Sequence, residues 1–475
     1  MAGSFTGSGF NLQPSAQQVP TATNYITDFN FLNQYLPDTY EKEFERYGNR
    51  TISSFLRLVG AEMPSNSDLV KWAEQGRLHI KYTECGTAAA NGANTATIQV
   101  NDDGVPAFTA TNGIGLREGQ TVVIIQNDGS GENKGIVTAA PDLDNNQFTV
   151  AFYDEDGYVG ATGGAVGDTN ITVFIYGSEF AKGQAGMAGS LEADDEFFEN
   201  NPIILKDKYA VSGSDMAQIG WVEVTTENGA TGYLWYMKSE HETRLRFDDY
   251  LETSMVEAVP MENTANAATA NGTEGIFYAV SDRGNLWTGG VPSTLADFDT
   301  IIGRLDAQGA IEENVLFIDR QFGFAIDDML AAQNSYGAGG TSYGLFDNDE
   351  EMALNLGFSG FRRGYDFYKT DWKYLNDPTM RGSNATGSGS GHINGLLVPA
   401  GSTSVYDQIL GKNAKRPFLH VRYRASETED RRYKTWITGS AGGAMTSDLD
   451  AMEVHFLSER CVCTMGANNF VLFED

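Results

Sequence analysis

One long amphipathic segment between residues 231 and 255 constrains the fold of this chain more than any other feature. Apolar side chains recur there every three or four positions, with charged side chains between them. The recurring positions are Leu234, Met237, His241, Leu245, Phe247, Leu251 and Met255. This period predicts one helix over 231–255, about 35–40 Å long at the usual helical rise. Because so long a helix spans a whole domain, we expect it to act as a spine.

A second feature is a change of composition at about residues 87–176, which are dense in Gly, Asn, Asp, Thr and Ala. Short β-branched runs are separated there by Asp-Gly pairs at 103–104, 128–129 and 156–157, which favour tight turns. This pattern predicts a small β-barrel or sandwich inserted into a host domain. The extended strand that enters at Lys81 is then expected to pair with a returning strand at 203–211.

The amino-terminal region is polar, and Pro14, Pro20 and Pro37 interrupt it. Residues 1–37 therefore predict an extended arm without a core of its own. The arm also carries several aromatic residues, which favours contact with a neighbouring subunit over disorder. Three short helices are predicted after it, at 38–48, 51–59 and 67–75.

The chain beyond Pro292 shows an α/β pattern. We predict a helix at 293–308, a buried strand at 313–319 and a helix at 320–333. Further predictions are a strand at 354–368, a short turn or helix at 371–376, and a Gly- and Ser-rich loop at 381–395. The remaining residues predict strands that return to the body of the protein.

The net charge limits the function classes. Lys and Arg total 32 and Asp and Glu total 64, which gives −32. Because affinity for nucleic acid comes mainly from cationic contacts to phosphate, this chain is not expected to bind DNA as its main task. No apolar run approaches the ~20 residues of a membrane helix. The opening MAGSFTGSGF lacks the features of a secretory leader.

Metal and redox chemistry find little support in the sequence. Cys85, Cys461 and Cys463 do not make a disulfide framework, and the last two fall on one face of a strand, which is typical of small buried residues. None of the five histidines is spaced as a metal pair. The acidic clusters, at 102–103, 154–156, 192–196 and 347–351, do not match a calcium loop and are interpreted as solvated turns.

Nucleotide-binding and catalytic motifs also fail. Gly411-Lys412 lacks the earlier glycine of a P-loop, and the glycine-rich stretches at 336–344 and 387–391 do not fit G-x-G-x-x-G. The sequence at 357–360 has the wrong spacing for a nucleophile elbow. We therefore predict a protein that is not an enzyme, with no catalytic, cofactor-binding or metal residue.

Two basic clusters stand out from the acidic background, Arg362-Arg363 and the run Arg431-Arg432-Tyr433-Lys434. They have two interpretations, a contact to phosphate or DNA and pairing with acidic patches of a neighbouring subunit. The net charge favours the second.

Three stretches resemble a known family. NPIILKDKYAVSGSDMAQIGW at 201–221, GYDFYKTDWKYLNDP at 364–378 and CTMGANNFVLFED at 463–475 resemble sequences of tailed-bacteriophage major capsid proteins, which have the Hong Kong 97-type fold. Together with the order of parts, the resemblance covers nearly the whole chain. Within the family, the chain is most similar to capsid proteins of crAss-like phages.

The resemblance implies an α+β fold with an amino-terminal arm, an extended loop, a peripheral domain built on a spine helix, and an axial domain. The corresponding ranges are 1–60 for the arm, 61–86 and 177–230 for the extended loop and the start of the peripheral domain, 87–176 for the inserted β domain, 231–292 and 401–475 for the peripheral domain, and 293–400 for the axial domain. The inserted domain is additional to the minimal fold. A fused amino-terminal scaffold is not expected.

The function that the resemblance implies is self-assembly into hexamers and pentamers of an icosahedral phage head around double-stranded DNA. The implied partners are further copies of the chain, portal and head accessory or fibre proteins, and packaged DNA by weak contact only. No membrane is implied. The expected location is the virion, after assembly in the host bacterial cytoplasm.

Two alternatives stay open. An acidic, β-rich surface or binding protein, assisted by calcium, would explain the charge and the Gly- and Asn-rich segment, but not the long helix. A hydrolase with an unfamiliar site is the other alternative, although no group of residues nominates its nucleophile.

Overall fold

The computed structural model describes residues 61–76, 79–90, 94–100, 114–127, 131–142, 145–154, 171–189, 195–217, 224–225, 231–232, 235–261, 271–333, 360–382, 392–407, 412–443 and 445–474. The chain divides into two compact units, one of residues 1–72 with 199–475 and one of residues 73–198. The predicted arm and the first two predicted helices lie outside the described residues. Among the helices that the structure describes, none has the length and apolar character needed to cross a bilayer.

The described residues form many short strands and a smaller set of helices, numbered in chain order. The strands are β1 Ala61–Ser65, β2 Val70–Gln75, β3 Lys81–Ala90, β4 Thr95–Val100, β5 Gln120–Gln126, β6 Glu132–Val137, β7 Gln147–Phe152, β8 Ile171–Ser178, β9 Asp195–Asn200, β10 Ile203–Ser212, β11 Val224–Thr225, β12 Thr231–Gly232, β13 Asn285–Trp287, β14 Glu313–Ile318, β15 Gly360–Arg363, β16 Tyr365–Asp371, β17 Ile393–Pro399, β18 Ser402–Asp407, β19 Lys412–Pro417, β20 Leu419–Arg424, β21 Lys434–Gly439, β22 Ala451–Thr464 and β23 Val471–Glu474. The helices are α1 Gly213–Met216, α2 Trp235–Glu257, α3 Ile276–Arg283, α4 Leu295–Gln308, α5 Arg320–Gln333 and α6 Lys373–Asn376, with a 3-10 turn at Ala467–Asn469.

The unit of residues 73–198 contains a closed six-stranded barrel, in the order β3-β4-β7-β6-β5-β8. Strict alternation buries Ile98 and Val100 on β4 and Phe148 and Val150 on β7. Strands β6 and β7 approach closely at Gly135, where a Cβ atom would lie only 2.4 Å from the Val150 side chain. The prediction of a small inserted β-barrel or sandwich is therefore confirmed as a barrel.

The predicted partnership between the strand at Lys81 and residues 203–211 is wrong. Strand β3 pairs with β4 and β8 inside the barrel, whereas β10 pairs with β22 along its whole length. The two strands pair in different sheets because their apolar side chains belong to different cores. Cys85 of β3 is buried in the barrel core, and Tyr209 and Val211 of β10 are buried under α2.

The helix predicted at 67–75 is also wrong, because residues 70–75 form β2. Burial alternates along β2 with a period of two, and Val70 and Trp72 pack against Cys461 and Cys463. Strand β2 pairs with β9.

A five-stranded sheet lies in the unit of residues 1–72 with 199–475. Its order is β1-β20-β22-β10, and β21 also pairs with the first half of β22. Helix α2 packs on one face of this sheet, where Phe247 and Leu251 meet Val211, Val454 and Phe456. The long helix predicted at 231–255 is confirmed as a helix, although it begins at Trp235 and residues 231–232 belong to β12.

A mixed six-stranded sheet, β13-β23-β17-β14-β16-β15, carries helices α4 and α5. The helices predicted at 293–308 and 320–333 and the strand between them are confirmed. Helix α4 begins with a capping box between Thr294 and Asp297 and ends at Gly309 in the left-handed region. Strand β23 lies inside this sheet because Val471, Leu472 and Phe473 are buried on both of its faces.

Candidate interaction surface

The face of the five-stranded sheet opposite α2 carries polar, charged and aromatic side chains. Strands β10, β22 and β21 align there in three rows, and side chains directly opposite on antiparallel strands share one face. The rows are Lys206–Leu457–Lys434, Lys208–His455–Trp436 and Ala210–Glu453–Thr438. We call these nine residues the open face. The lysines of β10 are exposed, and the other side chains except Leu457 are at least partly accessible.

The centre of the open face is an aromatic pair. The Trp436 and His455 rings are stacked, with centroids 5.0 Å apart and 14° between their planes. The Lys434 ammonium lies 5.9 Å from the Trp436 ring centroid. The Thr438 hydroxyl lies 2.8 Å from Nε2 of His455. This arrangement leaves a flat, amphipathic area that fits a planar or apolar side chain of a partner.

Glu453 is the electrostatic centre of the same face. Its carboxylate accepts a hydrogen bond from Lys208 Nζ at 3.0 Å and lies 3.5 Å from Nε2 of His455. The hydrogen bond from Lys208 holds the pKa of Glu453 below its ordinary value, with further support from the charge of Lys208 and from Thr438, although burial acts in the other direction. The open face thus combines both charge signs around an aromatic centre.

The loop that joins β21 to β22 exposes apolar side chains at one end of the open face. Met445 is 89% exposed and Leu449 is 53% exposed. The Gly439 N–H donates to the Thr446 hydroxyl at 2.9 Å, and the Ser440 hydroxyl donates to the Leu449 carbonyl at 2.7 Å. Met445 and Leu449 are therefore candidate contact residues on this loop. Sequence reasoning missed this loop, although an apolar Met and Leu within a polar, glycine-rich turn could have indicated it.

A cavity lies at the carboxyl ends of β14 and β16, beside Phe324. Its volume is about 50 Å³, against the ~300 Å³ or more of a typical small-molecule site. Lys369 Nζ and Asp327 Oδ1, 2.5 Å apart, form an ion pair at its wall. A cavity of this size does not fit a metabolite.

The structure places both predicted basic clusters against acids of the same chain. Arg363 binds Asp299 through both nitrogens of its fork, and Arg362 lies 3.2 Å from Asp366. In the other cluster, Arg431 pairs with Glu459, Arg432 with Glu62 and Lys434 with Glu429. Carboxylates of the same chain thus pair with both clusters, and the predicted pairing with a neighbouring subunit stays a prediction.

The three cysteines and His420 are buried, whereas His79 and His241 are exposed. Cys461 and Cys463 are fully buried on one face of β22, and His420 lies opposite Cys463. His392 lies 3.8 Å from Asp319. Among the described residues, no group of three or more His, Cys, Asp or Glu side chains could hold a metal ion. Asp102-Asp103, most of the other acidic clusters, the sequence at 357–359 and the glycine-rich stretches at 336–344 and 387–391 lie outside the described residues.

Comparisons with known proteins give similarities to solved structures alone, since no family model and no curated protein matches the chain. A structure from Microbacterium phage Oxtober96 aligns with a TM-score of 0.38 and 10% identity, over 94% of this chain and 98% of that one. The holo-SrpI encapsulin complex from Synechococcus elongatus PCC 7942 aligns with a TM-score of 0.33 and 10% identity, over 59% of this chain and 77% of that one. The mature capsid of bacteriophage PhiM1 aligns with a TM-score of 0.31 and 8% identity, over 62% and 78%. All three TM-scores are below 0.5.

Proposed function

We propose that this chain is the major structural subunit of a phage head and assembles with further copies of itself into a closed shell. The observation that carries the proposal is the ordered surface formed by the open face and the β21–β22 loop. It presents Trp436 on the sheet and Met445 and Leu449 on the loop. Stable protein–protein interfaces bury roughly 1,200–2,000 Å² and favour aromatic and Met side chains at their centres.

The stretches that resemble phage capsid sequences fall on ordered elements and support the same proposal. Residues 201–221 include β10 and α1, residues 364–378 include β16 and α6, and residues 463–475 include β23. In the proposed Hong Kong 97-type layout, α2 is the spine, the six-stranded sheet with α4 and α5 is the core of the axial domain, and the barrel is an added domain. A relation to crAss-like phages is part of this proposal.

The assembled form that we propose consists of hexamers and pentamers around double-stranded DNA. The net charge of −32 supports weak contact with the packaged genome, since a surface that repels phosphate lets DNA enter and leave. Portal and head accessory or fibre proteins would complete the virion, after assembly in the cytoplasm of the host bacterium. The role is structural, without catalysis.

Light scattering after size exclusion, with negative-stain images of each peak, tests the proposal. Rings of five or six subunits, tubes or closed shells are the expected result. Purification with a co-expressed portal protein extends the test to conditions in which assembly needs a nucleus. A chain that stays monomeric in both preparations, and whose unfolding midpoint rises with calcium, would contradict the proposal and favour the binding-protein alternative.

A further inference from the structure

Strand β1 is attached to the five-stranded sheet in a way that differs from every other strand of that sheet. It lies at the sheet edge and pairs in parallel with β20, from Ala61 opposite His420 to Ser65 opposite Arg424. None of its residues belongs to the apolar core clusters of the described chain. Backbone pairing with β20 and ion pairs of Glu62 attach it to the sheet.

Ion pairs attach β1 and Asp68, which lies three residues after the strand, to the sheet. The Glu62 carboxylate pairs with both Arg432 and Arg460, and its Oε1 lies 3.4 Å from Arg460 NH1. Asp68 pairs with Arg424 at the end of β20. Acids on the arriving segment thus meet arginines on the sheet, which is charge complementarity in an otherwise acidic chain.

Because of Arg460, the edge of β20 is unfavourable when no strand pairs with it. Its side chain is only 7% exposed, and burial lowers its pKa. Within the sheet it donates to the Ser458 hydroxyl at 2.8 Å and to the Arg432 carbonyl at 3.0 Å. Glu62 pairs with this buried cation, and Asp248 adds a second negative charge nearby. Removal of one partner of such a buried pair is destabilising. The edge of β20 therefore favours a strand with an acid at the position of Glu62, whichever chain provides that strand.

The connection on the carboxyl side of β1 allows such an exchange. Residues 66–69 join Ser65 to Val70, and three of these four residues are exposed. Val70 belongs to a core cluster with Cys461 and Cys463, which fixes the chain from there onward. Four extended residues span about 13 Å.

We propose that the edge of β20 is an exchangeable seat, filled by residues 61–68 of the same chain or of a second copy. The partner is thus another copy of this chain, and the recognition is a parallel strand with Glu62 between Arg432 and Arg460. Exchange of an identical element costs little because the same contacts form in both arrangements. The inference rests on the proposed assembly for its biological setting, but its chemistry holds for two isolated copies.

Cysteine crosslinking between two populations of the full chain tests the exchange. Pro64 and Tyr423 are direct partners in the register of β1 and β20. One population carries Pro64→Cys and the other Tyr423→Cys, and they are mixed at high salt, returned to low salt and oxidised. A disulfide-linked dimer is the expected result. A chain with both substitutions must form the bond within itself, which shows that the seat is folded, and the unsubstituted chain must give no dimer because its three cysteines are buried.

The ion pairs of Glu62 with Arg432 and Arg460 provide the specificity control. Adding Glu62→Arg to the Pro64→Cys chain is expected to lower the yield of crosslinked dimer about tenfold, and Arg432→Glu on the seat chain is expected to restore part of it. Asp328→Asn, an exposed substitution on α5, must leave the yield unchanged. Dimer yield that ignores Glu62, or bonds that form solely within the doubly substituted chain, would overturn the exchange.

Light scattering of the same samples separates this inference from the proposed function. Shells without crosslinks between chains would remove strand exchange and leave the capsid proposal in place. Crosslinked dimers without larger assemblies would establish the exchange and count against a shell.

Discussion

The indole of Trp436 lies parallel to the imidazole of His455 on the neighbouring strand, with 5.0 Å between ring centroids. The two residues are direct partners in the register of β21 and β22. Strand β21 is therefore anchored to the sheet by a cross-strand aromatic contact as well as by its backbone.

Replacing Trp436 with Ala is expected to lower the free energy of unfolding by about 1–2 kcal/mol, because the stacked contact and half-buried apolar area are lost. Thr435→Ala, at the exposed neighbouring position, is the matched control and is expected to change it by less than about 0.5 kcal/mol. Urea unfolding followed by circular dichroism measures both. Equal effects of the two substitutions would show that the aromatic stack does not hold β21.

Glu453 gives the open face a dependence on pH. Since Lys208 lowers the pKa of this carboxyl in the folded chain, its contribution to stability is present above the ordinary value near 4.5 and is lost as the pH falls through the lower folded value. Glu453→Gln is therefore expected to be less stable than the parent at pH 7, and this difference is expected to disappear in acid. Thermal unfolding between pH 7 and pH 3 measures it, with Glu427→Gln as an exposed control. A difference that persists unchanged at pH 3 would exclude the ionic origin.

Local patterns in the sequence were sufficient for the elements whose cores are local. The period of Phe247, Leu251 and Met255 predicted α2, and alternating apolar runs with Asp-Gly turns predicted the barrel. Pairings between distant segments could not be predicted in the same way. The alternation that buries Val70 and Trp72 is too short to distinguish from a helical pattern without the partner residues Cys461 and Cys463.

For the candidate surface too, local residues could be predicted from the sequence but distant pairings could not. The sequence indicated a basic cluster at 431–434, but the acid for Arg432 is Glu62, 370 positions earlier in the chain. That ion pair exists because β1 pairs with β20. The register of a five-residue parallel strand cannot be predicted from the sequence around it. The open face also needs three strands from two distant regions, β10 and the β21–β22 hairpin.

The core under α2 is expected to be the most sensitive part of the helix. Phe247 is fully buried and contacts Phe456 at 5.8 Å between centroids. Phe247→Ala is expected to cost about 3–5 kcal/mol because it leaves a cavity in a packed core. Tyr250→Ala, at a position 45% exposed on the same helix, is expected to cost less than about 1 kcal/mol. Denaturant midpoints that fall equally for both variants would contradict the packing of Phe247 against the sheet.

The Tyr153 phenol on the barrel is expected to have a raised pKa. The Tyr153 hydroxyl donates to Glu179 Oε2 at 2.5 Å, and burial, this hydrogen bond and the nearby carboxylate raise the pKa of Tyr153 to about 12. Because the folded value is raised, the stability it contributes is complete below pH 10 and is lost as the pH rises through 12. Glu179→Gln is expected to move this pKa back toward 10. NMR titration of tyrosine ring carbons measures the shift, Tyr153→Phe assigns it, and an unchanged value in Glu179→Gln would contradict it.

The β21–β22 loop gives the most direct test of how the surface is used. Replacing Met445 and Leu449 together with Ser removes exposed apolar groups and leaves the hydrogen bonds of Thr446 and Ser440 in place. The unfolding midpoint is therefore expected to stay within the equivalent of about 0.5 kcal/mol, while the assembled fraction in light scattering falls. Met380→Ser, at an exposed position away from this loop, is the matched control and is expected to assemble like the parent. If the double variant assembles fully, the loop is not a contact; if it loses stability instead, its apolar side chains support the fold and not a partner.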